Sequence, residues 1–372
     1  MPSEERHPTS KAPPTPWLRR AIGALLGTLG LVLALGFSLG ACLSAPGYQG
    51  PPKGNFNGER FVNLVPTPDK GMTAYLRMRT QETRVAWPTW VEIDQGAPPP
   101  PRITEPGHLR VTVINHATVL LQMDGLNILT DPVWSERVGP FSWVGTQRVR
   151  DPGIAFDDLP PIDIVAISHN HYDHLDIPTL ERIYAQGDPL LFAGLGTRAL
   201  LAEHGIRPSG GSDMLWWETL PTGNKGQIQI TAVPAQHWSG RGLNDQKNTL
   251  WMGFVFKGSA GPVYFAGDTG WGPHFALIAE RFPGIRLALL PIGAYSPEWF
   301  MATNHISPRQ AVEAHVVLGA QHSIPIHYGT FPLGLEGLDD PIVQLKAALA
   351  DQRVPPDRFS PLAFGQGRTL RP

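Results

Sequence analysis

The chain of 372 residues is 42% hydrophobic and 17% charged, with a formal net charge of −2. This length can bury one large core or two modest ones. The charge balance lacks the excess of lysine and arginine typical of nucleic-acid-binding proteins, so we expect no nucleic-acid partner. The 40 glycines and 39 prolines lie among dispersed apolar runs, which predicts many strands and turns.

Residues 1–42 have the features of an export signal. Arg19 and Arg20 precede an apolar stretch over 21–39, which is followed by Leu-Gly-Ala-Cys at 39–42. Because Cys42 is the only cysteine, an intramolecular disulfide and a thiolate metal cluster are excluded. The tetrapeptide resembles the bacterial lipobox, whose cysteine is lipidated and becomes the mature N-terminus. An uncleaved membrane anchor is the alternative. Both interpretations predict an exported protein held at a membrane of the cell envelope.

The remaining chain divides into a short connecting segment and one domain. Residues 43–58 are rich in proline and glycine and lack hydrophobic periodicity, which predicts a flexible tether. The folded domain is therefore expected to span residues 59–372.

Short apolar runs alternate with turn signals from His108 onward. Residues 109–114 and 119–123 are predicted strands, and the second returns through Asp124-Gly125 into a strand over 126–129. Further strands are predicted at 162–167, 228–233, 263–266, 287–292 and 323–326. The clearest helix covers 307–318, with Ser307 as N-cap, Pro308 in the first turn and Gly319 past the end.

A cluster of imidazole and carboxylate side chains directly follows the predicted strand over 162–167. Residues 169–174 read His-Asn-His-Tyr-Asp-His. Imidazole and carboxylate groups are ligands of borderline divalent metals such as zinc. A polar surface loop with clustered histidines is the alternative, but it leaves the residues that follow the other strands unexplained.

Similar side chains follow three more predicted strands, at His237, Asp268 and His327. Loops at the carboxyl ends of strands gather on one edge of a sheet, where rigid strands can hold a site. Together, five imidazoles and two carboxylates suit two divalent cations: His169, His171, Asp173, His174, His237, Asp268 and His327. Two zinc ions are the first expectation, and iron and manganese remain open.

This ligand set, in this order, resembles that of the metallo-β-lactamase superfamily over most of residues 109–329. The resemblance implies an αββα sandwich of the α/β (α+β) class, with residues 59–372 as the hydrolase domain. It also implies that His169, His171 and His237 hold one metal, that Asp173, His174 and His327 hold the other, and that Asp268 bridges them. Such a pair of ions activates water near neutral pH.

A more specific similarity extends to the residues around the ligands. Five segments resemble the N-acylphosphatidylethanolamine-hydrolysing phospholipase D (NAPE-PLD) family, at 168–176, 236–238, 265–270, 291–295 and 326–331. The resemblance implies a phospholipid substrate cleaved by zinc hydroxide to an N-acylethanolamine and phosphatidic acid, and a dimer is possible. The exported N-terminus departs from the animal enzymes, which leaves the substrate open.

Three other residues are candidates for roles near the metals. The family counterpart of Asp131 supports the metal ligands, although an Asp turn before Pro132 is the alternative. His305 could face the substrate, stabilising phosphoryl charge or assisting the leaving group, or could be an ordinary loop histidine. Tyr172 could contact the lipid head group or simply pack under its loop. His116 lies in a matching stretch but has no role that the sequence reveals.

The sequence leaves two other functions open. The same metal pair could open a lactone or a β-lactam. Alternatively, a lipoprotein could keep the metal site for binding or for envelope structure without turnover.

Overall fold

In the computed structural model, the described residues are 44–372 without Asp69, Asn224, Lys225 and Leu243, together with a few positions between 17 and 30. Cys42 and most of the predicted signal lie outside the described residues. No helix among those described combines the length and the apolar character needed to cross a bilayer.

The strands fall into two sheets and one separate hairpin. In chain order they are β1 (Leu109–Asn115), β2 (Thr118–Met123), β3 (Leu126–Thr130), β4 (Arg137–Phe141), β5 (Val144–Gln147), β6 (Ile164–Ala166), β7 (Leu190–Gly194), β8 (Gly211–Met214), β9 (Thr219–Thr222), β10 (Ile228–Val233), β11 (Gly253–Gly258), β12 (Gly261–Phe265), β13 (Leu287–Pro291), β14 (His322–Ile326) and β15 (Gly367–Leu370). The helices are α1 (Met72–Gln81), α2 (Ile177–Gln186), α3 (Thr197–Glu203), α4 (His274–Arg281), α5 (Glu298–Met301), α6 (Pro308–Leu318) and α7 (Asp340–Asp351), with a 3₁₀ turn at Phe156–Asp158.

The first sheet has the order β15-β1-β2-β3-β6-β7-β8, and the second has the order β14-β13-β12-β11-β10-β9. β4 and β5 form the separate hairpin. In the first sheet, β3, β6, β7 and β8 run parallel, as do β12, β13 and β14 in the second. The carboxyl ends of each parallel set therefore lie on one edge of its sheet.

Alternating apolar side chains pack each sheet on both faces. In β6, Ile164 joins the core between the sheets, whereas Val165 joins the cluster that includes α2 and α3. In β13, Leu289 faces the other sheet, and Leu290 packs in the cluster that includes α4, α6 and α7. Successive side chains of each strand point to opposite faces, so one face packs on the other sheet and the opposite face packs on helices. The expected αββα sandwich is confirmed.

The predicted helix over 307–318 is present as α6 with the expected ends. The Ser307 side chain accepts from the backbone N–H of Gln310, whose side chain accepts from the N–H of Ser307, so the two form a capping box. Gly319 ends the helix at φ 57°, in the left-handed region that glycine adopts without strain. The predicted strand over 162–167 is shorter than expected, at Ile164–Ala166.

The segment before the domain is packed, contrary to the flexible tether expected over 43–58. We call residues 44–68 the N-terminal arm. The N–H of Ala45 donates to Oδ2 of Asp245 at 2.7 Å, and Phe56 and Phe61 are buried with ring centroids 4.9 Å apart. Burial of these aromatic rings and of part of Tyr48 offsets the conformational freedom that the proline and glycine content predicted.

Candidate metal centre

All seven predicted ligands meet at the edge where the carboxyl ends of the strands lie. His169 and its neighbours follow β6, His237 follows β10, Asp268 follows β12, and His327 directly follows β14. Most of these side chains are buried. The strands fix the start of each loop, so four separate loops deliver their ligands to one place.

One group of donors consists of three imidazoles. Nδ1 of His171 lies 2.9 Å from Nε2 of His169 and 3.3 Å from Nε2 of His237. Oδ2 of Asp268 lies 3.9 Å from Nε2 of His169 and 3.8 Å from Nε2 of His237. The three imidazole nitrogens form the first candidate position, and Oδ2 of Asp268 lies beside two of them.

The second group shares the same carboxylate atom. Oδ2 of Asp268 is 3.2 Å from Nε2 of His174 and 3.1 Å from Nε2 of His327. Oδ2 of Asp173 is 3.3 Å from each of these two nitrogens. Oδ2 of Asp268 therefore lies within 4 Å of nitrogens in both groups, which is the placement that the resemblance implied for a bridging ligand.

The spacing of the donors fits divalent cations. Four ligands placed tetrahedrally at about 2.0–2.1 Å from a zinc ion lie roughly 3.3–3.4 Å from one another. The distances above scatter around that value. Nε2 of His174 and Oδ1 of Asp268 are buried without a hydrogen-bond partner among the described residues. Such atoms cost free energy unless something binds them, and a metal ion would do so.

Hydrogen bonds on the far side of three imidazoles fix which nitrogen faces the centre. Nδ1 of His174 lies 2.6 Å from Oδ2 of Asp131, and Nδ1 of His237 lies 2.9 Å from the carbonyl oxygen of Asn304. Nδ1 of His169 lies 2.9 Å from the hydroxyl of Ser168, which itself donates to Asp131 at 2.6 Å. Each Nδ1 thus carries the proton and leaves the lone pair of Nε2 for a metal.

The pKa shifts differ between the two donor groups. Burial lowers the pKa of His169 and of His237 well below the ordinary value, so both imidazoles are neutral, which is the form that binds metals. Burial acts to raise the pKa of Asp268, but the imidazolium forms of His174 and His327 overcome this effect and hold it well below its usual range. Burial in turn acts to lower the pKa of these two imidazoles, but Asp268 overcomes it and raises both, so a metal would have to displace their Nε2 protons. The bridging carboxylate is therefore ionised.

Asp131 occupies the position expected for a residue that supports a ligand. It is fully buried, and its carboxylate accepts from the N–H of Ser168 at 2.7 Å as well as from His174. The carboxylate makes these contacts from the end of β3, on the same edge as the metal ligands.

His305 lies beside the metal centre, whereas Tyr172 is turned away from it. Nδ1 of His305 is 3.7 Å from Oδ2 of Asp268, and burial lowers its pKa to about 4, which favours a hydrogen-bonding over a cationic role. Tyr172 packs near Phe331, donates to the carbonyl oxygen of Arg241 at 3.2 Å, and has that guanidinium 3.9 Å from its ring centroid. These contacts match the packing alternative for Tyr172.

His116 is a member of the site to which the sequence assigned no role. Its Nε2 donates to Oδ2 of Asp173 at 3.0 Å, and its ring centroid lies 4.1 Å from that of His327. β1 runs in the same direction as β3, because both pair antiparallel with β2. The carboxyl end of β1 therefore shares the edge of the ligands, and this rule applied to the sequence would have included His116.

A cavity of about 520 Å³ opens beside His171, His237 and His305. This size lies in the range of roughly 300–1,000 Å³ typical of small-molecule sites. Its other walls include apolar side chains from the arm, from the loop after β10 and from α5: Pro68, Trp238, Phe300 and Met301. Lys70 also lines it, and its ammonium donates to the carbonyl oxygen of Phe300 and, at 2.7 Å, to the hydroxyl of Thr303.

With this geometry established, comparison with known proteins identifies the family. A profile described as "Beta-lactamase superfamily domain" matches residues 126–328. The chain belongs to this superfamily. Its fold is similar to that of a solved metallo hydrolase from Ignicoccus hospitalis, at a TM-score of 0.52 and 21% identity over 71% of this chain and 99% of that one. The chain is also 33% identical over 228 residues to a UPF0173 metal-dependent hydrolase of Pyrobaculum islandicum, covering 60% of this chain and 86% of that protein. The chain is a metallo-hydrolase of the beta-lactamase fold.

Two relatives are named for a particular enzyme activity. The chain is 40% identical over 232 residues to N-acyl-phosphatidylethanolamine-hydrolyzing phospholipase D 1 of Caenorhabditis elegans, covering 61% of this chain and 65% of that protein. It is 37% identical over 227 residues to the mitochondrial enzyme of that name from Saccharomyces cerevisiae, covering 60% of this chain and 48% of that protein. The chain thus spans less than two thirds of the length of either relative.

Proposed function

We propose that this beta-lactamase-fold protein is a two-metal phosphodiesterase of phospholipase D type. Its substrate would be an N-acylphosphatidylethanolamine-like phospholipid, and its products an N-acylethanolamine and phosphatidic acid. The observation that carries the proposal is the pair of donor groups sharing Oδ2 of Asp268 beside a cavity with apolar walls. The two relatives named for this reaction support the choice of substrate.

The donor set would hold two zinc ions, which supply Lewis acidity and lower the pKa of water so that it attacks at neutral pH. In the proposed reaction, a P–O bond to the water oxygen forms, and the P–O bond to the N-acylethanolamine oxygen breaks. The leaving oxygen takes up a proton, and phosphatidic acid keeps the phosphate.

The residues of this chain hold and orient the reacting groups. Asp131 keeps Nε2 of His174 directed at the centre, and Asp268 keeps the two donor groups together. His305, which borders both the cavity and Asp268, is placed to hydrogen-bond a phosphoryl oxygen or the leaving oxygen.

We also propose that the protein is exported and anchored in the cell envelope through a lipid on Cys42. The Arg-flanked apolar stretch over 21–39 and the Leu-Gly-Ala-Cys sequence support this placement. Fractionation of cells producing Cys42→Ala tests the anchor. We expect the variant to remain unprocessed, and a variant that is still cleaved and membrane-bound would contradict lipidation.

A substrate panel with metal analysis tests the function. Full-length protein in detergent should contain about two metals per chain and release N-acylethanolamine and phosphatidic acid from mixed micelles. In H₂¹⁸O, the label should appear in phosphatidic acid, because the water oxygen bonds to phosphorus. Asp268→Asn should bind less metal, stay folded and lose turnover. Two metals without phospholipid cleavage, or hydrolysis of a lactone or a β-lactam instead, would overturn the substrate.

A further inference from the structure

The amide side chain of Asn63, in the N-terminal arm, pairs with the backbone of the metal-ligand residue His237. Its Nδ2 donates to the carbonyl oxygen of His237 at 2.8 Å, and its Oδ1 accepts from the N–H of His237 at 3.1 Å. Both backbone hydrogen-bonding groups of His237 are therefore satisfied by one side chain.

Asn63 is itself held in place by two further hydrogen bonds. Its Oδ1 accepts from Nε1 of the buried Trp251 at 2.9 Å, and its Nδ2 donates to the hydroxyl of Thr67 at 3.0 Å. The amide thus has little freedom to rotate, since each rotation would break several contacts at once. A side chain fixed in this way can transmit the position of the arm to the backbone that it binds.

The position of His237 depends on such contacts because it lies in a loop. The loop between β10 and β11 has no strand partner at His237, and the imidazole is fixed at its other end by Asn304. Next to it, Nε2 of Gln236 donates to the carbonyl oxygen of Val65 at 2.8 Å, so the arm contacts two successive residues of this loop.

The arm lies outside residues 126–328, which match the superfamily profile. It nevertheless continues into the wall of the cavity beside the metal centre, through Thr67 and Pro68. We infer that Asn63 is a positioning residue for the first metal position, and that the arm is part of the active site. This inference rests on the metal centre of the proposed function, but not on the phospholipid substrate.

Zinc binding to full-length Asn63→Ala, measured by competition with a chromophoric chelator, tests the inference. Displacing a ligand by removing a group that orients it typically lowers metal affinity about 10–100-fold. We expect such a loss for one of two zinc equivalents, because none of the hydrogen bonds of Asn63 to described residues reaches Asp173, His174 or His327. In the cobalt-loaded protein, the visible spectrum of one equivalent should change, which a general loss of stability would not produce.

Three other variants sharpen the test. Asn63→Asp keeps the acceptor for Trp251 but places an oxygen against the carbonyl oxygen of His237, so it should lose at least as much affinity. Thr67→Val removes one contact of Asn63 and leaves His237 untouched, so a smaller loss in the same direction is expected. Asn57→Ala is the matched control, because within the described part of the chain the Asn57 side chain accepts from the N–H groups of Glu59 and Arg60 alone, in an exposed turn of the arm.

Circular dichroism below the unfolding temperature identifies which variants are folded. Wild-type zinc affinity and cobalt spectrum in a folded Asn63 variant would overturn the inference, as would an equal loss in Asn57→Ala. If both Asn63 variants unfold, wild-type zinc affinity in the Thr67→Val protein would overturn the inference. Absence of phospholipid cleavage by the wild-type protein would refute only the proposed function, because these measurements follow metal binding.

Discussion

Nδ1 of His174 and Oδ2 of Asp131 lie 2.6 Å apart, and both side chains are completely buried. Since a carboxylate only accepts, the imidazole must donate from Nδ1, and Nε2 then faces Asp268. Asp131 therefore sets the tautomer of a candidate metal ligand through the nitrogen opposite Asp268.

Replacing this carboxylate with an amide should weaken the second metal position. In Asp131→Asn, the amide can present its NH₂ to Nδ1, which would move the imidazole proton to Nε2 and block metal binding there. We expect about 10–100-fold weaker zinc binding at one equivalent, with a parallel loss of turnover. Chelator competition and steady-state rates measure both. Asp158→Asn, at an exposed position, is the control, and equal behaviour of the two variants would contradict the role of Asp131.

His116 should matter for the same position through Asp173. In His116→Ala, Oδ2 of Asp173 loses the nearest of its imidazole partners, and a cavity opens beside the ring of His327. We expect roughly 10–100-fold weaker binding of one zinc equivalent, together with a lower unfolding temperature. His315→Ala is a suitable comparison, because this histidine is also buried but bonds Ser323 instead. It should lose stability and keep its zinc affinity, and a loss of zinc affinity in both variants would indicate a general packing effect.

His305 should affect turnover and leave metal content unchanged. If it hydrogen-bonds a phosphoryl or leaving oxygen, His305→Ala should lower kcat by about 10²–10⁴-fold with two metals still bound. His305→Gln can still donate and should recover part of the rate. The measurement is kcat and KM with metal analysis of the same samples. A change confined to KM would indicate that His305 only binds substrate.

The effect of pH on the free energy of unfolding can be predicted for Asp213, which lies in β8, outside the set of candidate ligands. Burial raises the pKa of this carboxyl to about 7, although it accepts from the N–H groups of Gly196 and Arg198. The folded state therefore keeps the Asp213 proton at pH values where the unfolded state has lost it. The contribution of Asp213 to the free energy of unfolding is therefore greatest below pH about 4 and falls as pH rises toward 7.

Asp213→Asn removes this titration and keeps one oxygen acceptor. The stability of the variant relative to the wild type should therefore increase as pH rises from about 4 to 7 and stay level above that. Urea unfolding of the metal-free proteins across this range measures the difference. A difference that stays constant across this range for Asp213→Asn would contradict the raised pKa.

The meeting of the seven candidate ligands was predictable because rigid strands determine where their loops begin. Apolar runs identified the strands before His169, His237, Asp268 and His327, and the parallel strands brought these loops to one edge. His116 obeys the same rule, but it lies in a tight turn at φ 39°, where no hydrophobic periodicity marks it. Its link to Asp173 depends on how the two loops meet in space.

The N-terminal arm was harder to predict because its contacts are distant in sequence. Its proline and glycine content indicated a flexible segment, whereas the structure depends on a few aromatic residues, such as Phe56 and Phe61, and on the amide of Asn63. Hydrogen-bond partners of this arm lie between Gln236 and Trp251. Local composition contains no information about such pairing.

The packing of this arm sets how far the domain can lie from a lipid on Cys42. A free segment through residue 58 would allow a separation of about 60 Å between Cys42 and the folded domain. Because Ala45 is already hydrogen-bonded to Asp245, only three Cα–Cα steps remain, which span at most about 11 Å. A lipid on Cys42 would therefore hold the domain directly on the bilayer surface and restrict its rotation there. The orientation of the cavity toward the membrane would then be set by the arm itself.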